Sequence, residues 1–239
     1  MSLKRYIPDT ITSLNLLCGT LGVIAASKGH FDNAFILMLA AAVCDFLDGF
    51  SARLLDAYSD MGKELDSLAD IVSFGVLPAV MLYNLMRTCT FSESIWCHVP
   101  LVIAVFSGLR LAKFNIDERQ HHTFLGLATP ACAMLCGSLC YFVAHDQDNF
   151  LAAWCAAQVF IPVLCVVLSA LLVCGIPMFS MKISKDDDSV TKHKRIAFMV
   201  NVALIILIVL FLGLNWSLTV LLSFTVYILM NVVFAVFKL

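Results

Sequence analysis

The sequence predicts an all-α, polytopic transmembrane helix bundle of about eight spans. Three observations lead there. Of the 239 residues, 61% are hydrophobic and only 13% charged, whereas a soluble domain is nearer half apolar and a quarter charged. One small core cannot hide such an excess, so apolar surface must face lipid. About 20 consecutive apolar residues cross a bilayer as a helix, and eight such stretches can be read along the chain. Finally, the basic residues divide very unevenly between alternate connections. With a net charge of −2 and no basic stripe along any helix, the composition points to no nucleic-acid partner.

The first stretch, Pro8–Ser27, carries two polar residues, Thr12 and Asn15. The second, Asn33–Leu54, carries Asp45, Asp48 and Arg53 near its end. The third, Leu65–Met86, begins with Asp66 and Asp70. The fourth, Ile95–Lys113, ends on Arg110 and Lys113, three residues apart and on one helix face. The fifth and sixth are Leu125–Ala144 and Leu151–Ile176. A long polar linker, Lys182–Arg195, precedes the last two, Ile196–Leu214 and Ser217–Phe237, which hold no acid or base. The other connections are short, so one compact bundle is expected.

Eight spans place both termini on one side. If Lys4 and Arg5 are cytoplasmic, thirteen of the 15 basic residues fall on that side and only Lys28 and Arg87 on the other. Loop Lys and Arg set orientation, so the asymmetry predicts a cell-membrane protein with both termini facing the cytoplasm. Met1–Ile7 runs into a long span without an A-x-A pattern, so no cleaved leader is expected. Trp96, Trp154 and Trp216 lie near span ends and read as interfacial anchors.

Most of the ten cysteines lie inside apolar runs, and none forms a CxxC pair. Cys132, Cys136 and Cys140 repeat at helical spacing without a histidine or acid among them, and read as small packing residues. Cys89 and Cys97 flank one short loop, where free thiols are favoured over a disulfide. His121 and His122, and the run Asp186–Asp188, read as solvated loop residues.

The aspartates are different. An ionised side chain at membrane depth costs several kcal/mol and marks a functional site by default. Asp45 and Asp48 are spaced i, i+3, and Asp66 and Asp70 i, i+4, so each pair shares one helix face. The turn over Leu54–Met61 makes the two helices antiparallel neighbours, with both pairs in one cavity. Four carboxylates this close repel unless protons or a cation intervene. Ligands that are all oxygen suit a hard divalent ion such as Mg²⁺ or Mn²⁺, and the lack of His or Cys argues against zinc. Gly49, Ala52, Gly62 and Ser67 are small. They would let either a ligand or a second helix approach, and beside four acids the ligand pocket is the favoured reading.

The full pattern is Asp45-x2-Asp48-Gly49-x2-Ala52-Arg53-x8-Gly62-x3-Asp66-x3-Asp70. At every fixed position and spacing it resembles the signature of the CDP-alcohol phosphatidyltransferase family. Four further segments, Arg5–Asn15, Glu64–Pro78, Leu109–Asn115 and Phe124–Pro130, look like the membrane-spanning bacterial phosphatidylserine synthases within that family, as does Ile176–Lys182. Where that subgroup has Gly-Leu-Pro-Thr-Pro, this chain has Gly126-Leu-Ala128-Thr-Pro, a change expected to relax the start of the fifth helix.

The resemblance implies a catalytic core of six spans over residues 1–181, a cytoplasmic linker over 182–195 and an accessory helix pair over 196–239. It implies transfer of a phosphatidyl group from CDP-diacylglycerol to serine, with release of CMP. Asp45, Asp48, Asp66 and Asp70 would hold one or two Mg²⁺ or Mn²⁺ ions, and Asp70 would also act as general base. Gly49, Ala52, Arg53, Gly62 and Ser67 would line the CDP-lipid site, while Thr12 and Asn15 would either reach the nucleotide or form helix–helix hydrogen bonds. Serine carries a carboxylate, so its pocket needs a cation, which Arg110 and Lys113 would supply. The partners implied are the two substrates, membrane lipid and, as in other members, a second copy of the chain. The readings kept open are another acceptor, such as glycerol 3-phosphate or inositol phosphate, and a cation transporter with an acidic site.

Overall fold

The computed structural model describes residues 6–90, 94–116, 124–145, 150–179 and 189–237. Lys4, Arg5, Arg119, His121, His122 and Lys182–Asp188 therefore lie outside the described residues. Helices α1 (Tyr6–Ser27) and α2 (Phe31–Leu55) form an antiparallel pair, turned at Gly29 with φ +77°, a conformation glycine adopts without penalty. Helix α2 stops at Asp56, which takes the left-handed conformation at φ 47°, ψ 48°, as aspartate tolerates better than most residues. Ser59 then caps α3 (Asp60–Asp70), its Oγ accepting a hydrogen bond from the Gly62 amide at 2.9 Å.

Helix α3 runs through a π-helical segment, Ile71–Val76, into α4 (Leu77–Thr90), giving one apolar run of 31 residues. A 3₁₀ turn at Ile95–Leu101 leads into α5 (Val102–Ile116). The two-residue strand β1 (Phe124–Leu125) precedes α6 (Thr129–His145), followed by α7 (Phe150–Ala156) and α8 (Phe160–Val173). Strand β2 (Pro177–Met178) pairs antiparallel with β1. Helices α9 (Ser189–Phe211) and α10 (Ser217–Phe237) complete the bundle. Helix α9 thus starts inside the stretch read from sequence as linker.

Each apolar stretch read from the sequence is mainly helical, though the helices are not equal spans. Among the described residues, six helices are long and apolar enough to cross a membrane, and the α7–α8 pair, bent by 90°, makes a seventh if it is one span. The bend has a local cause. Pro162 sits in the first turn of α8, where it is tolerated, but a helix running straight through would set its ring against the carbonyl four residues back. Helix α6 has 17 residues, at the short end of a spanning helix, and it is the centre of the bundle. It packs against α2, α4 and α10, and every side chain from Ala131 to Val143 is buried. Small residues allow this. A Cβ on Gly137 would come within 2.7 Å of the Phe35 ring and 3.0 Å of the Met38 sulfur. Cys132, Cys136 and Cys140 are buried in the same helix, and all ten cysteines are free thiols.

The outer surface suits lipid. Helix α9 exposes Ile196, Val200, Leu204, Leu207 and Phe211, and Trp96, Trp154 and Trp216 are all about half exposed near helix ends. Because the helices alternate in direction, the second half of α2, α3, the end of α5 and the start of α6 share one end of the bundle. At the opposite end Trp216 stacks on Phe35 at 5.7 Å, with Tyr141 tilted against both rings.

The connection into α6 is tied down, in contrast to the relaxed helix start expected from Ala128. The Gly126 and Leu127 amides donate to the Ile176 and Leu171 carbonyls at 2.9 and 2.8 Å. Gly126 has φ +78°, and a Cβ there would sit 2.7 Å from the Leu172 carbonyl oxygen. Gly126→Ala should therefore destabilise the protein by about 1–3 kcal/mol, read as a lowered Tm in detergent. Gly175→Ala, where a Cβ meets nothing, is the matched control and should leave Tm unchanged.

Candidate active site

Helix α1 is the spine of the site. It packs along α2 and along the α3–α4 run. Its Thr12 hydroxyl reaches Asp48 Oδ2 at 2.7 Å. One turn on, Asn15 donates from Nδ2 to Asp70 Oδ1 at 3.5 Å and accepts from the Ser73 hydroxyl at its Oδ1 at 2.7 Å. Ser73 lies in the π-helical segment, where the wider turn brings its hydroxyl towards α1. The approach is close, and a Cβ on Gly19 would overlap that hydroxyl. Asn15 is completely buried. Its amide is engaged by Asp70 and Ser73.

Helices α2 and α3 touch each other far less than each touches α1. They were expected as antiparallel neighbours with their acids in one cavity. What meets across the gap is their carboxylates. Asp45, Asp48 and Asp66 each offer an oxygen, and these oxygens all lie within 4.8 Å of one another. At that separation, two unit charges repel by roughly 3 kcal/mol at an effective dielectric constant of about 20. Asp48 is buried, and Asp66 Oδ1 is buried with no hydrogen-bond partner. A buried, unpartnered carboxylate oxygen is costly, and a cation held among the three would satisfy it. The residues thus fit an oxygen-ligated divalent ion. Asp70 stands outside this triad, one turn further along α3 and bonded to Asn15.

A cavity of about 160 Å³ opens beside the triad, lined by Thr12, Asp48, Gly49, Ala52, Gly62 and Asp66 among others. The two glycines differ in meaning. A Cβ on Gly62 would come within 2.8 Å of Asp9 Oδ1 and of the capping Ser59 Oγ, so this glycine serves the fold. A Cβ on Gly49 would meet no protein atom within 4 Å. Its lack of a side chain serves open space and not helix packing. Arg53 is exposed and not part of the cavity lining. Ser67 faces α5, where its Oγ accepts from Asn115 Nδ2 at 2.9 Å.

Arg110 enters from α5 and is buried, with 8% of its surface exposed. Its Nη1 donates to Thr129 Oγ1 at 2.8 Å, and its side chain lies over Phe114 at 5.7 Å. Nε is buried without a partner. The guanidinium is close enough to Asp70 for a charge interaction. Lys113, expected on the same face, is exposed at the end of the helix, so Arg110 alone supplies a buried cation here.

Sequence reasoning passed over several contributors. Pro8, Asp9, Tyr58 and Ser59 line the cavity, and Asp9 lies within the quoted segment Arg5–Asn15. Ser73, Thr129 and Asn115 hold Asn15, Arg110 and Ser67 in place. Such residues are ordinary hydroxyls and amides until the partner helix is known.

Comparison with known proteins points to one family. The model of the CDP-alcohol phosphatidyltransferase family matches residues 5–162. A CDP-diacylglycerol–serine O-phosphatidyltransferase of Bacillus subtilis (strain 168) is 38% identical over 130 residues, covering 54% of this chain and 72% of the relative. Proteins of the same name from Mycobacterium tuberculosis (strain ATCC 25618 / H37Rv) and Methanocaldococcus jannaschii are 37% and 35% identical, over 185 and 147 residues. Those matches cover 74% and 62% of this chain, and 62% and 66% of the relatives, so they leave over a third of either relative unmatched. With its family match spanning most of the bundle and the aspartate pattern inside it, the chain belongs to the CDP-alcohol phosphatidyltransferase family.

Proposed function

We propose that the protein transfers a phosphatidyl group from CDP-diacylglycerol to the hydroxyl of L-serine, yielding phosphatidylserine and CMP. The observation that carries this is the convergence of Asp45, Asp48 and Asp66 within 4.8 Å, beside a cavity and next to Asp70 and a buried arginine. The names of the relatives support serine as acceptor.

Asp45, Asp48 and Asp66 would hold a divalent ion, Mg²⁺ or Mn²⁺. When bound, it supplies charge neutralisation for an anionic pyrophosphate. Gly49 and Ala52 leave room for the nucleotide end of the lipid, with Thr12 fixing Asp48 beneath it. Asp70, oriented by Asn15, accepts the proton from the serine hydroxyl. The serine oxygen then bonds to the β-phosphorus, the bond from that phosphorus to the CMP oxygen breaks, and CMP leaves with the electron pair. Attack is direct, with no covalent enzyme intermediate. Arg110 binds the serine carboxylate through donors that include the unpartnered Nε, placing the amino acid beside Asp70. Arg53, exposed at the same end, is placed to meet a phosphate only if the bound lipid extends past the cavity. The protein acts from the cell membrane with this end facing the cytoplasm, as the distribution of Lys and Arg supports. On the division read from sequence, residues 1–181 form the catalytic core, 182–195 the linker and 196–239 an accessory pair.

Purified protein in detergent should release CMP from CDP-diacylglycerol when serine and Mn²⁺ or Mg²⁺ are added. Asp70→Asn should lower kcat by roughly 10²- to 10⁴-fold, the range of a positioned general base. Release dependent on glycerol 3-phosphate or inositol phosphate, and not on serine, would overturn the acceptor. Titrated by electron paramagnetic resonance, Mn²⁺ should bind the folded protein, and Asp66→Asn should weaken it by about tenfold or more. Unaltered binding would remove the triad as the metal site. Arg110→Ala should raise the KM for serine roughly ten- to a hundredfold, as expected for loss of a charge-assisted bond, with a much smaller effect on the KM for CDP-diacylglycerol.

A further inference from the structure

Besides packing on α6 and α9, the last helix is hydrogen-bonded to one residue of irregular backbone. Asn231 Oδ1 accepts from the Phe179 amide at 2.9 Å, and the Tyr227 hydroxyl donates to the Phe179 carbonyl at 3.1 Å. Asn231 Nδ2 in turn donates to the Tyr227 carbonyl at 2.8 Å, locking the amide's orientation. The Phe179 ring packs against Tyr227 at 5.2 Å and against Phe198 of α9 at 6.0 Å, in edge-on contacts. Both backbone polar groups of Phe179 are thus met by side chains of α10.

Phe179 directly follows β2, which pairs with β1 in the register Phe124↔Met178 and Leu125↔Pro177. Beyond β1, the Gly126 and Leu127 amides bond to Ile176 and Leu171. Thr129 opens α6 and holds Arg110 at 2.8 Å. The path from α10 to the buried guanidinium therefore runs through hydrogen bonds to Phe179 and between the two short segments, and then along the chain from Leu127 to Thr129. Tyr227 also lies in the neighbourhood of Arg110. Irregular backbone within a membrane protein needs partners for its polar groups. Yet that need alone would be met by any polar helix, and it does not call for a tyrosine near the arginine.

We infer that Tyr227 and Asn231 are positioning residues for the acceptor site, holding Phe179 and the β1–β2 clasp so that Thr129 and Arg110 face the bound amino acid. The inference rests on the proposed role of Arg110. It assigns the final helix a part in acceptor binding, although sequence reading treats that helix as accessory.

The test measures both KM values for Tyr227→Phe, which removes one hydroxyl and keeps the ring, and for Asn231→Ala. Tyr227→Phe should raise the KM for serine about three- to tenfold, as loss of one neutral hydrogen bond predicts, while the KM for CDP-diacylglycerol stays unchanged. In an Arg110→Lys background the same substitution should add little, since its effect passes through the arginine. Equal rises in both KM values, an unchanged serine KM, or full additivity with Arg110→Lys would each overturn the inference. Hydrogen exchange supplies a readout independent of activity. Both variants should speed exchange at the amides of Gly126 and Leu127 as well as Phe179. Faster exchange at Phe179 with Gly126 and Leu127 unchanged would break the proposed path, even if the wild-type protein released no CMP with serine. Absence of serine-dependent release by the wild type would fault the acceptor reading instead.

Discussion

Mutual repulsion among carboxylates at membrane depth is the constraint on which the rest of this structure depends. Water would screen such charges on a soluble protein, and a lipid-facing helix could not carry them at all. The bundle answers by turning Asp45, Asp48 and Asp66 inward to one point and giving Asp48 and Asp70 hydrogen-bond donors from α1. Asp66 Oδ1 remains buried and unmet. A fold that buried these groups for packing alone would gain more from apolar residues of similar size. The arrangement becomes favourable once a cation shares the cluster.

Helix α1 follows from the same constraint. Two helices that each carry a pair of acids cannot pack directly face to face. A third helix bearing neutral donors can contact both and leave space between them. Thr12 and Asn15, three residues apart, bond to Asp48 on α2 and to Asp70 on α3 respectively. The π-helical segment after Asp70 lets Ser73 close against α1 without losing the run into α4. The cavity is the space left over. Gly49 faces it without a protein neighbour, so access to the triad is built into the helix that carries two of its members.

Much of this was legible in the sequence, for physical reasons that also explain the rest. Acids are so costly in lipid that their placement and spacing fix which faces of α2 and α3 point inward. Apolar stretches of the right length are helical because no other open structure satisfies its backbone there. Helix length inside the bundle was harder to read. Leu125–Ala144 looks like a span by composition, but only its protein neighbours show that α6 is central and buried. The 90° break before Pro162 was visible as a proline, though not as a bend of that size. Partner choice was least legible. Asn15 can hydrogen-bond a nucleotide or an aspartate equally well, and Lys113 shares a face with Arg110 by spacing. One ends buried and the other exposed because α5 stops within a turn.

The placement of polar groups also separates the proposed reaction from ion transport. A transport path needs polar or charged side chains at successive depths, whereas the acids here cluster at one end. The opposite end holds an aromatic group, Phe35, Tyr141 and Trp216, with His145 paired to Asp32 at 3.1 Å near the surface. Between the two lies the apolar centre of α6, where Ala133, Cys136 and Leu139 are buried against neighbouring helices. A lipid with a nucleotide head group makes the demand this asymmetry meets. Its phosphates require cations and donors near water, while its acyl chains require hydrocarbon immediately alongside. Helix α2 presents both at one level, with Asp48, Gly49 and Ala52 turned to the cavity and Phe46, Leu47 and Phe50 exposed on its outer side. The two solvation demands of one substrate are thus met by adjacent faces of a single helix.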